Sequence, residues 1–350
     1  MPPVHAKLAA RLLVEAPDPF GDGSRPQTAS QWQVGLSAAG IEGAAGDLAT
    51  EGGFVRSADE RAGAARSAAA AQMEAGFQAA CAAEALAALQ SAGIVSAQLK
   101  GTGLAQRVYP PGWVRRATDV DLIVWPANFD AALGALATLG YTPMLPERDA
   151  FYRRHHHDVP LRRDFSPTLD LHQAALAGLG TIVLADELLR ANGTLDPLAE
   201  IVYLAAHGAG HLFERPLWVL DIALAVGAAG HPDLPLLDAI AERWHLRRAW
   251  RLARLVVHRQ LGAQALPWPA PEPSRADDLA LNLRASYLRL PAHSARRFAA
   301  YAAGSWAHCD TPLRAAWMAQ FGVLRAAGDL VRNRGLPVPA DWPPLKGRPQ

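Results

Sequence analysis

Acidic residues set into short apolar runs are the first sign of chemistry in this chain. Asp119-Val120-Asp121-Leu122-Ile123-Val124 reads as a strand, and on a strand residues i and i+2 point to the same face. Asp119 and Asp121 are therefore expected to project together, about 6–7 Å apart over two strand rises. Charges so placed repel unless a cation lies between them. Asp170 repeats the theme inside Thr168-Leu169-Asp170-Leu171-His172, where a carboxylate is costly unless paired or metal-bound. The hard dication suited to such ligands is Mg²⁺, with Mn²⁺ as a substitute. Three carboxylates on adjacent strands make a two-ion site for phosphoryl transfer. The competing reading of an Asp-x-Asp pair is a solvated strand end.

A second group lies just upstream. Gln98-Leu99-Lys100-Gly101-Thr102-Gly103-Leu104-Ala105 reads as a strand, a glycine turn and the start of a helix. That order presents backbone N–H groups and a helix N-terminus to an anion. Lys100 supplies a cation and Thr102 a hydroxyl; the plain alternative is an ordinary strand-to-helix turn.

The remaining polar residues stand out less sharply. His155, His156 and His157 fall on an expected strand at residues 150–157, beside Arg153, Arg154, Arg162 and Arg163. His207 and His211 are four apart and share a helix face. Gly208, Ala209 and Gly210 fill the gap between them, so the glutamate of a zinc protease is missing. Asp221 sits in an apolar helix and needs a partner, with His207, His211 or Arg215 as candidates. Arg247, Arg251, Arg254 and His258 recur at helical spacing, either as a polyanion-binding stripe or as a wet face.

The elements that must position these groups follow from periodicity and breakers. Ser57 and Glu60 form a capping-box pattern, and Met73, Phe77, Cys81, Ala85 and Leu89 then mark one apolar face of a long helix. Strands are expected at residues 94–99, 120–125, 150–157 and 168–172, with helices at 104–109 and 129–139. After Ala175 the strand signal ends, and helices follow at 198–213, 217–228, 234–244, 246–261, 277–289, 295–307 and 313–332. The resulting class is α+β: a mixed sheet with flanking helices, then an all-helical domain. The divisions are an N-terminal arm at 1–56 with short helices near 5–15 and 30–46, an α/β domain at 57–175, a helical domain at 176–334 and a Pro-rich tail at 335–350.

Composition narrows the partners. Half of the 350 residues are hydrophobic and the formal net charge is +1, which does not indicate a nucleic-acid partner. Cys81 and Cys309 stand far apart, outside any ligand pattern, as expected in a reducing cytoplasm. No segment approaches the ~20 apolar residues of a membrane span.

The run LKGTGLAQRVYPPGWVRRATDVDLIV resembles the signature of the uncharacterised nucleotidyltransferase family, within the DNA polymerase β-like nucleotidyltransferase superfamily. The similar positions are Leu99, Lys100, Gly101, Leu104, Ala105, Tyr109, Pro110, Arg115, Asp119 and Asp121. Asp170-Leu171-His172 resembles the family's later Asp-Leu-His, and His207, His211 and Trp218-Val219-Leu220-Asp221 its helical part. The likeness covers residues 57–226; Lys100-Gly101-Thr102-Gly103 stands where the superfamily has a Gly-Ser or Gly-Gly turn. It implies a nucleotidyltransferase fold and transfer of a nucleotidyl group from a nucleoside triphosphate such as ATP. Asp119, Asp121 and Asp170 would be catalytic and hold two Mg²⁺ ions. Lys100, Gly101, Thr102, Gly103 and Arg115 would bind the nucleotide, with Arg115 on phosphate or bracing the acidic loop. His157, His172, His207, His211 and Asp221 would lie on the side of the acceptor, a small molecule or a macromolecule that the resemblance does not name. Two alternatives are a nucleotide-binding module without turnover and a toxin-like enzyme acting on RNA or protein.

Overall fold

Val120, Leu122 and Val124 belong to one hydrophobic cluster and Ile123 to another. The alternation of one strand thus separates the two cores of the molecule and fixes which of them the acids face. The computed structural model describes residues 41–42, 58–144, 157–179, 181–290 and 295–315. In chain order the α/β part holds β1 (Ile41–Glu42), α1 (Ala58–Ser91), β2 (Ser96–Gln98), α2 (Thr102–Val108), β3 (Val114–Arg115) and β4 (Asp119–Val124). It continues with α3 (Phe129–Ala137), β5 (Thr142–Pro143), β6 (Asp158–Arg162), β7 (Thr168–His172), β8 (Ala174–Gly178) and β9 (Thr181–Leu184). Among the described residues the helices that follow are α4 (Pro197–Gly210), α5 (Pro216–Ala228), α6 (Leu234–Arg243), α7 (Arg247–Leu261), α8 (Arg275–Arg289) and α9 (Ala295–Ala307).

The central sheet has the order β2-β4-β7-β6-β5. Only β4 and β7 run parallel, and their register sets Asp121 opposite Asp170. On one face, Val120, Leu122, Val124, Leu169 and Leu171 pack against Ala85 and Leu89 of α1 and Leu133 and Leu136 of α3. On the other, Ala97, Leu99 and Ile123 join a larger cluster that runs through α4, α5, α6 and α7. This is the expected α+β architecture of a mixed sheet, flanking helices and a helical C-terminal region.

Several local expectations are corrected. Ile41–Glu42 is a strand paired with Val114–Arg115, inside the stretch expected to be helical at 30–46. β6 starts at Asp158; of the strand expected at 150–157 only His157 is described, and it lies outside β6. Strands do not end at Ala175: β8 and β9 form a hairpin there. The Ala-rich sequence of β8 carries little alternation, so pairing across the turn decides its conformation. On α1, Met73 is 77% and Phe77 51% exposed, whereas Cys81, Ala85 and Leu89 are buried. The sheet covers only the C-terminal half of that long helix. Ser57, His155 and His156, Arg153 and Arg154, the tail at 335–350 and nearly all of the 1–56 arm and the 313–332 helix lie outside the described residues.

The α4–α5 corner depends on a close approach. A Cβ on Gly208 would lie 2.4 Å from Cε1 of Phe213, a ring with no exposed surface. Alanine within a helix ordinarily improves on glycine by about 0.5–1 kcal/mol, but overpacking a core costs about 1–3 kcal/mol. Gly208→Ala is therefore expected to lower the urea midpoint of unfolding. A raised midpoint would show that the ring moves aside freely.

Candidate active site

The parallel pairing of β4 and β7 assembles the acidic group. Asp119, Asp121 and Asp170 each offer a carboxylate oxygen, and these atoms lie within 4.8 Å of one another. Asp121 is 2% exposed, and Asp119 and Asp170 are half-buried. Such crowding must be neutralised, and Lys100 does part of it: its Nζ lies 2.8 Å from Asp121 Oδ2 and 4.0 Å from Asp119 Oδ2. Burial opposes the charge on Lys100, but Asp121, Tyr203 and Asp119 outweigh it and hold the ammonium well above the ordinary lysine range. His172 Nε2 lies 3.0 Å from Asp121 Oδ1. Burial favours a protonated Asp121, yet Lys100 and His172 prevail and keep its carboxyl far below the usual range.

Asp170 lacks that compensation. Burial, then the charges of Asp121 and Asp158, push its carboxyl up to about 7. Three hard donors in one cluster, one of them short of positive charge, suit a hard dication.

A cavity of about 200 Å³ opens in front of Asp119 and Asp121; Asp170 belongs to the cluster but does not line the cavity. One side is formed by Lys100, Gly101 and the loop from Arg116 to Asp119, the other by His207, His211, Glu214, Arg215, Leu217 and Trp218 from the α4–α5 corner. The ring centroids of His207 and His211 are 4.8 Å apart, and each lies within 5.2 Å of the Trp218 ring. Burial, then Lys100 and His211, hold His207 well below the usual imidazole range. It is a neutral ring at neutral pH.

The other expected site residues are placed differently. Thr102 and Gly103 are buried beneath the turn, Thr102 accepting a hydrogen bond from Gln98 Nε2 at 3.0 Å. His172 stands behind Asp121, and His157 packs beside it, ring centroids 5.3 Å apart; neither lines the cavity. Asp221 finds its partners in Arg115 and Tyr109 rather than in His207, His211 or Arg215. Arg115 lines the cavity, and its guanidinium is engaged by Asp221. The basic stripe on α7 is largely neutralised: Arg247 pairs with Glu242, Arg251 with Asp277, and Arg254 lies over the Trp250 ring. Sequence reasoning missed Arg116, Thr118 and Glu214. The first two directly precede Asp119, and Glu214 lies between two expected helices, so adjacency was the available signal.

A mixed sheet that presents three carboxylates from neighbouring strands beside a glycine turn defines a nucleotidyltransferase-type site. A family model described as "Uncharacterised nucleotidyltransferase" matches residues 38–262, and the chain belongs to that family. No curated protein and no solved structure matches it. Among the described residues no helix is long and apolar enough to cross a membrane.

The state of Asp170 gives a pH prediction. An ordinary carboxyl ionises near 3.8, the folded Asp170 near about 7. The folded state therefore retains a proton that the unfolded chain releases, and stability falls as pH rises through that window. Without added metal, Asp170→Asn is expected to raise the melting temperature at pH 8 and to change it little near pH 4. An equal shift at both values would mean that the carboxyl is not strained by its neighbours.

Proposed function

We propose that the protein transfers an NMP group from a nucleoside triphosphate to a hydroxyl or phosphate acceptor. The observation that supports this most is the convergence of Asp119, Asp121 and Asp170 on one cluster, two of whose members, Asp119 and Asp121, line the cavity. Asp119 and Asp121 would hold both Mg²⁺ ions, and Asp170 one of them. When bound, Mg²⁺ neutralises phosphate oxygens and lowers the pKa of the attacking hydroxyl.

The protein's own groups have distinct tasks. Asp170, as a ligand of one ion, helps to take the proton of the acceptor hydroxyl, whose own pKa the metal lowers. Lys100 rests on Asp121 and Asp119, and it turns to the departing pyrophosphate when these acids are neutralised otherwise. The Gly101 turn lies beside it along the same wall. His207 and His211 face the acids across the cavity, where they orient the acceptor and exclude water. Fixing the acceptor in line with the phosphorus is worth up to about 7–11 kcal/mol of the barrier. Preorganised charge carries most of the remainder.

The test is incubation with each α-labelled nucleoside triphosphate, Mg²⁺ and host extract. Label is expected to pass to an extract component, and Asp119→Asn and Asp121→Asn are each expected to abolish the transfer while the fold persists. Wild-type turnover in either variant would refute the assignment. Once the acceptor is found, His207→Ala should raise its KM or lower kcat with little change in melting temperature. A large fall in melting temperature with unchanged kinetics would make the histidine a structural residue.

A further inference from the structure

Arg115, Asp221 and Tyr109 form a buried group that belongs to both walls of the cavity. Arg115 Nε donates to Asp221 Oδ1 at 2.9 Å and Nη2 donates to Oδ2 at 2.7 Å. The Tyr109 hydroxyl donates to Asp221 Oδ1 at 2.6 Å. Asp221 is 1% and Arg115 4% exposed, so the charges are shielded from water and from salt. A two-pronged carboxylate–guanidinium contact fixes orientation as well as distance.

Each partner is anchored to a different wall. Asp221 lies one helical turn beyond Trp218 on α5, the helix that starts with the cavity-lining Leu217 and Trp218. Arg115 ends β3 and leads into the loop of Arg116, Ala117 and Thr118 that delivers Asp119. Its Nη1 also lies 3.5 Å from the Arg116 carbonyl oxygen. The next carbonyl, on Ala117, accepts from Gln78 Nε2 of α1 at 2.8 Å. The loop in front of Asp119 is thus held at the Ala117 carbonyl by Gln78, and at its start by Arg115, which Asp221 fixes. One hold rests on α1, beneath the sheet, and the other on Asp221 of the helical region.

We infer that Asp221, through Arg115 and Tyr109, is a positioning residue that sets Asp119 for metal binding. It touches neither nucleotide nor acceptor. Asp121 and Asp170 pair with each other in the middle of the β4–β7 register, whereas Asp119, paired with Thr168, is the first residue of its strand, directly after the loop, and is part-exposed. It is the ligand whose position depends most on the loop, and so on Asp221. This inference rests on the proposed metal site.

The experiment is Mn²⁺ titration of the full chain at a temperature well below unfolding, by calorimetry or by loss of the free-ion paramagnetic signal. Asp221→Asn keeps the shape and removes the charge; Tyr109→Phe removes one hydrogen bond and leaves the ion pair intact. Leu252→Ala, a core truncation on α7, serves as a destabilised control. Substituting groups that orient ligands typically costs about 10–100-fold in metal affinity. Asp221→Asn is expected to weaken Mn²⁺ binding about tenfold or more, Tyr109→Phe in the same direction by less, and Leu252→Ala not at all. Unchanged affinity in both Asp221→Asn and Tyr109→Phe would overturn the inference and leave the metal site standing. If Asp221→Asn does not fold, Tyr109→Phe decides alone: wild-type affinity overturns the inference, weaker binding supports it. Absence of Mn²⁺ binding by the unaltered protein would refute the metal site itself, and the inference with it.

Discussion

The repulsion among Asp119, Asp121 and Asp170 governs the arrangement of everything around them. Like charges within 4.8 Å at the edge of an apolar interior must be compensated or protonated. Lys100 and His172 compensate Asp121 from two sides. Asp170, short of such help, retains its proton toward neutral pH. Both responses come from the protein itself, so the acidic cluster survives folding while staying attractive to a dication. The strand register makes this unavoidable, because Asp121 and Asp170 are paired directly across β4 and β7.

The two walls of the cavity meet this charge differently. The near wall, with Lys100 and the loop before Asp119, is bonded to the sheet and to α1. The far wall carries neutral or exposed rings on a helical corner, held by the fit of Gly208 against Phe213. The buried Arg115–Asp221 pair spans them. An ion pair so enclosed adds little net stability over an apolar substitute, and its geometric precision is the better account of its place here.

Much of this was legible in the sequence, for identifiable reasons. The alternation around Asp119 and Asp121 and the isolated Asp170 gave the acidic strands, because period two in a half-buried strand leaves few options. The helices after Ala175 were marked by apolar periodicity, and 295–307 matched in full. The β8–β9 hairpin was missed because the Ala-rich β8 carries no alternation, although Thr181-Ile182-Val183 of β9 are strand formers whose burial alternates. Partners were harder still. Asp221 was recognised as needing one, but its partner lies 106 positions earlier in the chain, a distance over which spacing says nothing. The exposure of Met73 and Phe77 was hidden for a similar reason: periodicity reports a helix face and not whether anything covers it.

The larger hydrophobic cluster runs from Ala97, Leu99 and Ile123 of the sheet through the helices to Ala280 without a break. A cut near residue 175 would divide the polypeptide but not a pair of separable cores. It would leave one side of the sheet facing water and strip α4 to α7 of part of their lining. The strand that carries Asp119 and Asp121 and the helical region therefore share one apolar cluster, and the contacts within it also hold the two sides of the cavity in register.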